Sequence, residues 1–167
     1  TYIGGKNKNR HVNKKVAHSQ GRSGQDKTPV FGMIERKGKL NAFVVKDTSA
    51  ETLTPEVVKY IKDAIVYTDE WRGYKSIKQL FKHEIVKHKE YEYVRDNVYT
   101  NTIEGFWSLL KRGVIGIYHY ISKPHLQKYV DEFVYRYNTR IYNECDRFNF
   151  LLKNAEHRLT YKELIYG

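Results

Sequence analysis

One cysteine, Cys145, stands among 167 residues. A single thiol excludes a disulfide within the chain and a cysteine-based zinc site. It fits a reducing, intracellular setting, and Cys145 itself reads as a small packed or idle side chain before it reads as a nucleophile. No apolar run approaches the roughly 18 residues that a membrane-spanning helix needs. The first residues, Thr1-Tyr2-Ile3-Gly4-Gly5, show neither an initiator Met nor a signal-peptide pattern, so the chain reads as an excerpt of a longer one. No internal repeat and no low-complexity tract is present, which sets repeat architectures aside. Acidic residues are scarce as well: 19 Asp and Glu face 30 Lys and Arg, a net charge of +11.

That imbalance favours polyanionic partners, nucleic acid first and an anionic membrane surface second. An ordinary basic surface is the plain alternative. The membrane reading is the weakest, because the basic residues between 6 and 27 do not form an amphipathic helix with a large apolar face. What is abundant is tyrosine, 15 residues, alongside 2 Trp. Aromatic rings among cations suit nucleic acid, since rings stack on bases while cations meet phosphates; tyrosine serves equally well in a core. Charged residues at 29% and hydrophobic ones at 40% give a globular balance, and the length suits one domain with its own core.

Along the chain, residues 1–4 read as a strand end. Residues 5–28 are polar and basic, too long for an ordinary turn. They form either a solvated loop or a DNA-contacting one, with Lys6, Lys8, Arg10, Lys14, Lys15 and Arg22 as the candidate contacts. Residues 29–35 and 39–45 predict a β-hairpin around Arg36-Lys37-Gly38. Thr54-Pro55-Glu56 predicts a helix start, with Val57, Val58, Tyr60 and Ile61 facing inward. A short buried strand follows at 64–67, a helix at about 74–81 and a strand at 84–86. A helix is expected from near Asn101 to Gly113, which reads as its C′ glycine. Leu126, Tyr129, Val130, Phe133, Val134, Tyr137 and Ile141 then repeat with helical spacing. Shorter helices are expected near 148–156 and 160–165. This order implies a mixed α/β sheet flanked by helices.

Three residues in this frame have the types that metal-assisted phosphodiester chemistry requires. Such a site gathers carboxylates around two divalent ions roughly 3.5–4 Å apart, and Mg²⁺ prefers hard oxygen donors. Asp69 follows directly on an apolar strand, where ligand sites collect in α/β sheets; its plain alternative is a turn or helix cap. Glu104 falls in the first turn of a helix, where it also suits the helix dipole and, with Asn101, a capping-box spacing. Lys111, seven residues on, shares the face of Glu104 and is either a phosphate contact or a solvated lysine.

Four stretches carry a resemblance: Thr1-Tyr2-Ile3-Gly4-Gly5-Lys6, Thr68-Asp69-Glu70-Trp71-Arg72-Gly73-Tyr74, the long run Asn101-Thr102-Ile103-Glu104-Gly105-Phe106-Trp107-Ser108-Leu109-Leu110-Lys111-Arg112-Gly113, and Asp131-Glu132-Phe133-Val134-Tyr135-Arg136-Tyr137-Asn138. With them the sequence resembles bacterial insertion-sequence transposases with a DDE-type integrase domain, related to Merlin-type elements. The resemblance implies one catalytic domain over residues 1–167: a ribonuclease-H-like, five-stranded mixed sheet flanked by helices, with extra C-terminal helices. It places the second catalytic acid on Asp69 and the third on Glu104, with Asn101 as a possible helper and Lys111 and Arg112 on phosphate. Trp107 is expected to pack in the core. The family's first catalytic Asp lies in an Asp-Glu pair directly before the Thr1 stretch, outside these residues. The upstream zinc-ribbon or helical DNA-binding region common in the family lies outside them too.

The implied cofactors are Mg²⁺ or Mn²⁺, two ions in an intact site. The implied partners are transposon-end and target DNA and a second copy in a dimer or larger assembly, with no membrane. The implied location is the bacterial cytoplasm, at the nucleoid. The mechanism that the resemblance implies is attack of water on a phosphodiester at a transposon end, followed by in-line attack of the freed 3′-hydroxyl on target DNA. Two alternatives stay open: a ribonuclease-H-like nuclease without strand transfer, and a catalytically incomplete DNA-binding or assembly module.

Overall fold

A computed structural model describes residues 1–4, 7, 11–17, 27–86, 100–119, 121–155 and 160–166. The hairpin forms as its alternating pattern dictates. Strands β2 (Thr28–Ile34) and β3 (Leu40–Val44) pair antiparallel, with Val30 opposite Val44 and Ile34 opposite Leu40. Glu35 and Gly38 close the turn, the Gly38 N–H donating to the Glu35 carbonyl at 3.0 Å. The left-handed position falls on Lys37, with φ 56°, rather than on the glycine beside it. Strand β1 (Tyr2–Ile3) adds antiparallel to the other edge of β2, Tyr2 opposite Pro29.

Period-two alternation sends neighbouring residues of this sheet into two separate cores. Val30, Leu40 and Ala42 face one way, and with Ile3 they pack against Phe106, Leu110, Val114, Leu126 and Val130. Phe31 and Val45 face the other way, packing with Leu53, Val57 and Ile77. The first core is covered by helices α3 (Asn101–Gly116) and α4 (Leu126–Asn138). The second is covered by α1 (Ala50–Tyr60) and α2 (Ile77–Leu80). A parallel pair follows α1: β4 (Ile65–Thr68) and β5 (Lys82–Ile85), in register from Ile65 opposite Lys82 to Thr68 opposite Ile85. Helices α5 (Glu144–Lys153) and α6 (Tyr161–Tyr166) end the chain.

All five expected strands are present, in a mixed α/β arrangement, but they form a three-stranded sheet, β1-β2-β3, and a separate two-stranded one, β4-β5. The reason lies in β1: it is two residues long and its ladder runs to β2. No ladder joins it to β4 among the described residues.

Three expected helix limits shift, each for a local reason. Helix α1 begins at Ala50 rather than Thr54, which leaves Pro55 inside it. The start is organised by Asp47, whose carboxylate accepts the Ser49 N–H at 2.9 Å, the Ser49 hydroxyl at 2.6 Å and the Thr52 hydroxyl at 2.7 Å. Of the four residues expected to face inward, Val57 is buried, while Val58 and Tyr60 are exposed. Gly113 does not stop α3, which runs on to Gly116. Gly113 is buried, and a Cβ there would overlap the Phe133 ring, so this glycine serves close helix packing. Helix α5 starts at Glu144, where Asn143 accepts the Asp146 N–H at 2.9 Å as an N-cap; Ile141 falls outside α4 and is exposed.

The hydroxyl and amide donors around Asp47 hold its carboxyl down at about 2 from the ordinary 3.8, the Ser49 hydroxyl contributing most. A carboxylate with a lowered folded pKa contributes stability above its unfolded pKa and loses it as the pH falls through the folded one. The segment that leads into α1 should therefore be fully held above about pH 4 and loosen as the pH falls towards 2. Amide exchange at Leu53, whose N–H donates to the Ser49 carbonyl at 3.0 Å, would report it. Asp47→Ala should remove the pH dependence; its persistence there would show another group to be responsible.

The outer edge of β3 is closed by side chains rather than by another strand. Asn138 accepts the Leu40 N–H at 2.8 Å and donates to the Leu40 carbonyl at 2.9 Å. Gln127 accepts the Val44 N–H at 2.7 Å and donates to the Ala42 carbonyl at 3.3 Å. Helix α4 thus carries two amides that imitate a strand, which protects an edge otherwise open to pairing. Asn138→Leu removes one of these imitations beside fully buried Leu40. The expected cost is about 2 kcal/mol, from two lost bonds and two unmatched backbone groups. Urea denaturation would measure it, and a loss below about 0.5 kcal/mol would mean that water replaces the amide freely.

Candidate active site

Asp69 lies one residue past the carboxyl end of β4, half-buried. Its Oδ1 accepts the Trp71 N–H at 3.1 Å, a local turn set up by the Asp-x-Trp spacing. The Trp71 indole N–H reaches across to the Thr48 carbonyl at 3.1 Å. Thr48 also meets β1, its Oγ1 lying 3.2 Å from the Tyr2 hydroxyl. Thr48, in the link between β3 and α1, therefore ties both the first strand and the Asp69 turn to the same point. Gly73 keeps the space open: a Cβ there would press on the Thr48 carbonyl and the Trp71 indole.

The other side of the turn is held from β5. The Thr68 hydroxyl donates to the Asp69 carbonyl at 2.9 Å and lies 2.8 Å from His83 Nε2. Because Thr68 spends its only proton on that carbonyl, His83 donates from Nε2. Among the described residues its Nδ1 is buried without a partner, acceptable for a lone pair and costly for an N–H. Burial first, and the Lys78 charge second, hold the His83 pKa below its usual value, in keeping with a neutral ring. Tyr74 is shifted upward, by burial first and by the Asp69 charge second.

Glu104 is exposed in the first turn of α3, and its backbone N–H donates to the Thr100 carbonyl at 3.3 Å. Thr100, not Asn101, occupies the N-cap position, and its hydroxyl lies 3.4 Å from Glu104 Oε1. The expected capping-box pairing of Asn101 with Glu104 does not form; Asn101 is the first helical residue and is exposed. Lys111 and Arg112 are exposed on the same helix. Its buried residues are Phe106, Leu110, Gly113 and Val114. At 100° per residue, Asn101, Glu104, Lys111 and Arg112 fall on the opposite face. The rise of a helix puts Lys111 about 10 Å beyond Glu104. Trp107 flanks this face and packs inward, edge-on to Phe106 with ring centres 5.1 Å apart and over Gly32, where a Cβ would come within 2.6 Å of the indole.

Lys14 and Lys15 are exposed at and just after a 3-10 turn, Val12–Lys14. Asn7 draws that segment together, donating to the Val16 carbonyl at 2.7 Å and accepting the Val16 N–H at 3.0 Å. Lys6, Lys8, Arg10 and Arg22 lie outside the described residues.

Asp69 and Glu104 are hard oxygen donors, and that chemistry fits Mg²⁺ or Mn²⁺. Among the described residues no group of three or more His, Cys, Asp or Glu could hold a metal ion. Nor is any helix among them long and apolar enough to cross a membrane. Sequence reasoning missed Thr48 and His83, which meet Trp71 and Thr68 only through folding, the partners standing 23 and 15 positions apart in the chain. A lone Thr and a lone His carry no motif that could have found them.

The family described as ISXO2-like transposase domain matches residues 1–138. A protein of Haemophilus influenzae (strain ATCC 51907 / DSM 11121 / KW20 / Rd), called an uncharacterized transposase-like protein, is 32% identical over 104 residues. That stretch is 61% of this chain and 83% of the relative. No solved structure matches the chain.

Proposed function

This chain belongs to the ISXO2-like transposase domain family, and we propose that it is the catalytic domain of a DDE-type transposase that cuts transposon ends and joins them to target DNA. The observation that carries this reading is the outer face of α3. An acid in the first turn and a Lys-Arg pair two turns on stand exposed, while the opposite face fills the core. A helix anchored so firmly on one side presents fixed charges on the other, as a phosphodiester site requires.

Asp69 and Glu104 are the carboxylates that would hold divalent metal, with the family's first Asp contributed from before Thr1. When bound, the metal supplies a Lewis acid for the phosphate oxygens. The chain's own residues do the rest. Trp71, Thr48 and the Thr68–His83 pair fix the turn that carries Asp69. Lys111 and Arg112 meet phosphate oxygens beside the reacting bond, and Lys14 and Lys15 add further backbone contacts. Water attacks the phosphodiester at the transposon end, and the freed 3′-hydroxyl then attacks target DNA in line. No covalent protein–DNA intermediate is required, so none of the tyrosines acts as a nucleophile. The fold proposed for this chemistry is ribonuclease-H-like, with β4-β5 continuing the β1-β2-β3 sheet beyond the short β1.

A second reading rests on the basic excess, 30 Lys and Arg against 19 Asp and Glu, which suits DNA whether or not the DNA is cut. It makes the domain a DNA-binding or assembly module. The deciding experiment incubates a version extended upstream by its native residues with transposon-end DNA and Mg²⁺ or Mn²⁺, and resolves the products. Joined strands support a transposase, cut strands alone a nuclease. Salt-sensitive binding without cutting would overturn the catalytic reading in favour of the module.

A further inference from the structure

The chain has two tryptophans, and they are used differently. Trp107 packs inward, over Gly32 and against Phe106. Trp71 belongs to neither core and is 41% exposed, two residues past Asp69. Exposed as it is, Trp71 is held at both ends. Its main-chain N–H donates to Asp69 Oδ1 at 3.1 Å, and its indole N–H donates to the Thr48 carbonyl at 3.1 Å. Gly73 lies against the same edge of the ring, where a Cβ would come within 2.8 Å of Nε1 and 2.9 Å of Cδ1. The five-membered edge is thus taken up by the protein, which leaves the six-membered ring to carry the exposure. A ring already fixed in this way gives up little conformational freedom when a partner stacks on it.

The surrounding charge selects that partner. From Trp71 to Lys82 the chain holds no acid, while Arg72, Lys75, Lys78 and Lys82 are all exposed. Cations without acids attract a polyanion, and an apolar ring beside them gives a phosphate nothing to bind. A nucleobase carried on phosphates suits both, because its face stacks on the ring while its backbone meets the cations. Inside an intact duplex each base face is covered by its neighbours, so the ring suits a base that has left the stack. Successive phosphates of one strand are about 3.4 Å apart along the duplex. A phosphate held at Asp69 therefore brings the nucleotide beside it to the indole, rather than one several steps along the strand.

We propose that Trp71 is a stacking platform for one unstacked nucleobase next to the phosphate at Asp69. Its place beside the reacting bond rests on the DNA-processing reading, whereas the stacking is tested without metal and without cutting. Two end-labelled single strands of about ten nucleotides, a length that such sites cover, are compared by fluorescence anisotropy. One carries ordinary bases, and the other has the same backbone with every base removed. Trp71→Ala should weaken binding of the base-bearing strand by about tenfold and leave the abasic strand unaffected. A Trp71 that only shaped the turn would move both strands or neither. Trp71→Phe keeps a ring and loses the Thr48 bond, and should stay within about threefold of the parent. Tryptophan emission gives an independent readout, because Trp107 is packed inward and Trp71 is exposed. The base-bearing strand should quench the parent and leave Trp71→Phe unchanged, and the abasic strand should quench neither. Circular dichroism should be the same for all three proteins. Equal weakening of both strands by Trp71→Ala, full binding by that variant, or an unquenched parent would overturn the platform and leave the DNA reading standing. A parent that binds neither strand would overturn both.

Discussion

An Asp69→Asn protein is expected to lose metal-dependent DNA cutting by at least about 100-fold, the equivalent of about 3 kcal/mol of transition-state stabilisation. Its melting temperature should stay within about 2 °C of the parent's. The two halves of this expectation come from different atoms. Asn keeps an oxygen at Oδ1, so the bond from the Trp71 N–H at 3.1 Å survives and the turn holds its shape. What Asn removes is the negative charge and the second hard oxygen, which an Asp offers to a cation and an amide does not. DNA binding should be unchanged or slightly tighter, because one anion near the phosphates has gone. Tyr74 offers an internal check: Asp69 is the second cause of its raised pKa, so the shift should shrink while burial sustains the remainder. Cutting at the parental rate by a folded Asp69→Asn protein would remove Asp69 from the site.

Phe106→Ala should destabilise the domain by about 3–5 kcal/mol. Phe106 is 1% exposed and sits where α3 meets the sheet and α4. Its ring lies edge-on to Trp107 at 5.1 Å and to Tyr137 at 5.9 Å. Deleting it loses the transfer energy of the ring and leaves a cavity that rigid neighbours on two helices and a sheet fill poorly. For a chain of this length the melting temperature should fall by on the order of 10 °C. Leu109→Ala, on the same helix but 48% exposed, should change stability by less than about 0.5 kcal/mol. A urea midpoint for Phe106→Ala close to that of Leu109→Ala would mean that α3 is not seated as described. The functional consequence follows from geometry, since Glu104 and Lys111 stand on the far side of the helix that Phe106 anchors.

The sequence was most legible where neighbours in the chain decide the outcome. Alternation in residues 29–45 specifies the hairpin, because apolar side chains two apart must share a face. The spacing of Leu126, Val130, Phe133, Val134 and Tyr137 specifies α4 in the same manner, and all five join or pack against the first core. Helix limits were less legible, and Gly113 shows why. A glycine after a helical run reads as a stop signal, yet here it is the Phe133 ring from another helix that requires the missing side chain. The start of α1 differs for a related reason: Thr54-Pro55 is a good local start, but Asp47 gathers three donors from Ser49 and Thr52, and the helix begins at Ala50.

Residue type and spacing made Asp69, Glu104 and Lys111 candidates, an acid past a strand and an acid and a lysine on one helical face, while their reading as one catalytic set came from the resemblance to the family. The basic excess is a property of the sequence as well. Tertiary structure decided what holds those residues. It brought Thr48 to Trp71, His83 to Thr68, and the Asn138 and Gln127 amides to the bare edge of β3. It also left apolar residues of α5 and α6 exposed, Phe148 and Leu164 among them. Local periodicity states that a helix has an apolar side, but only the packing of the whole chain determines whether anything is there to cover it.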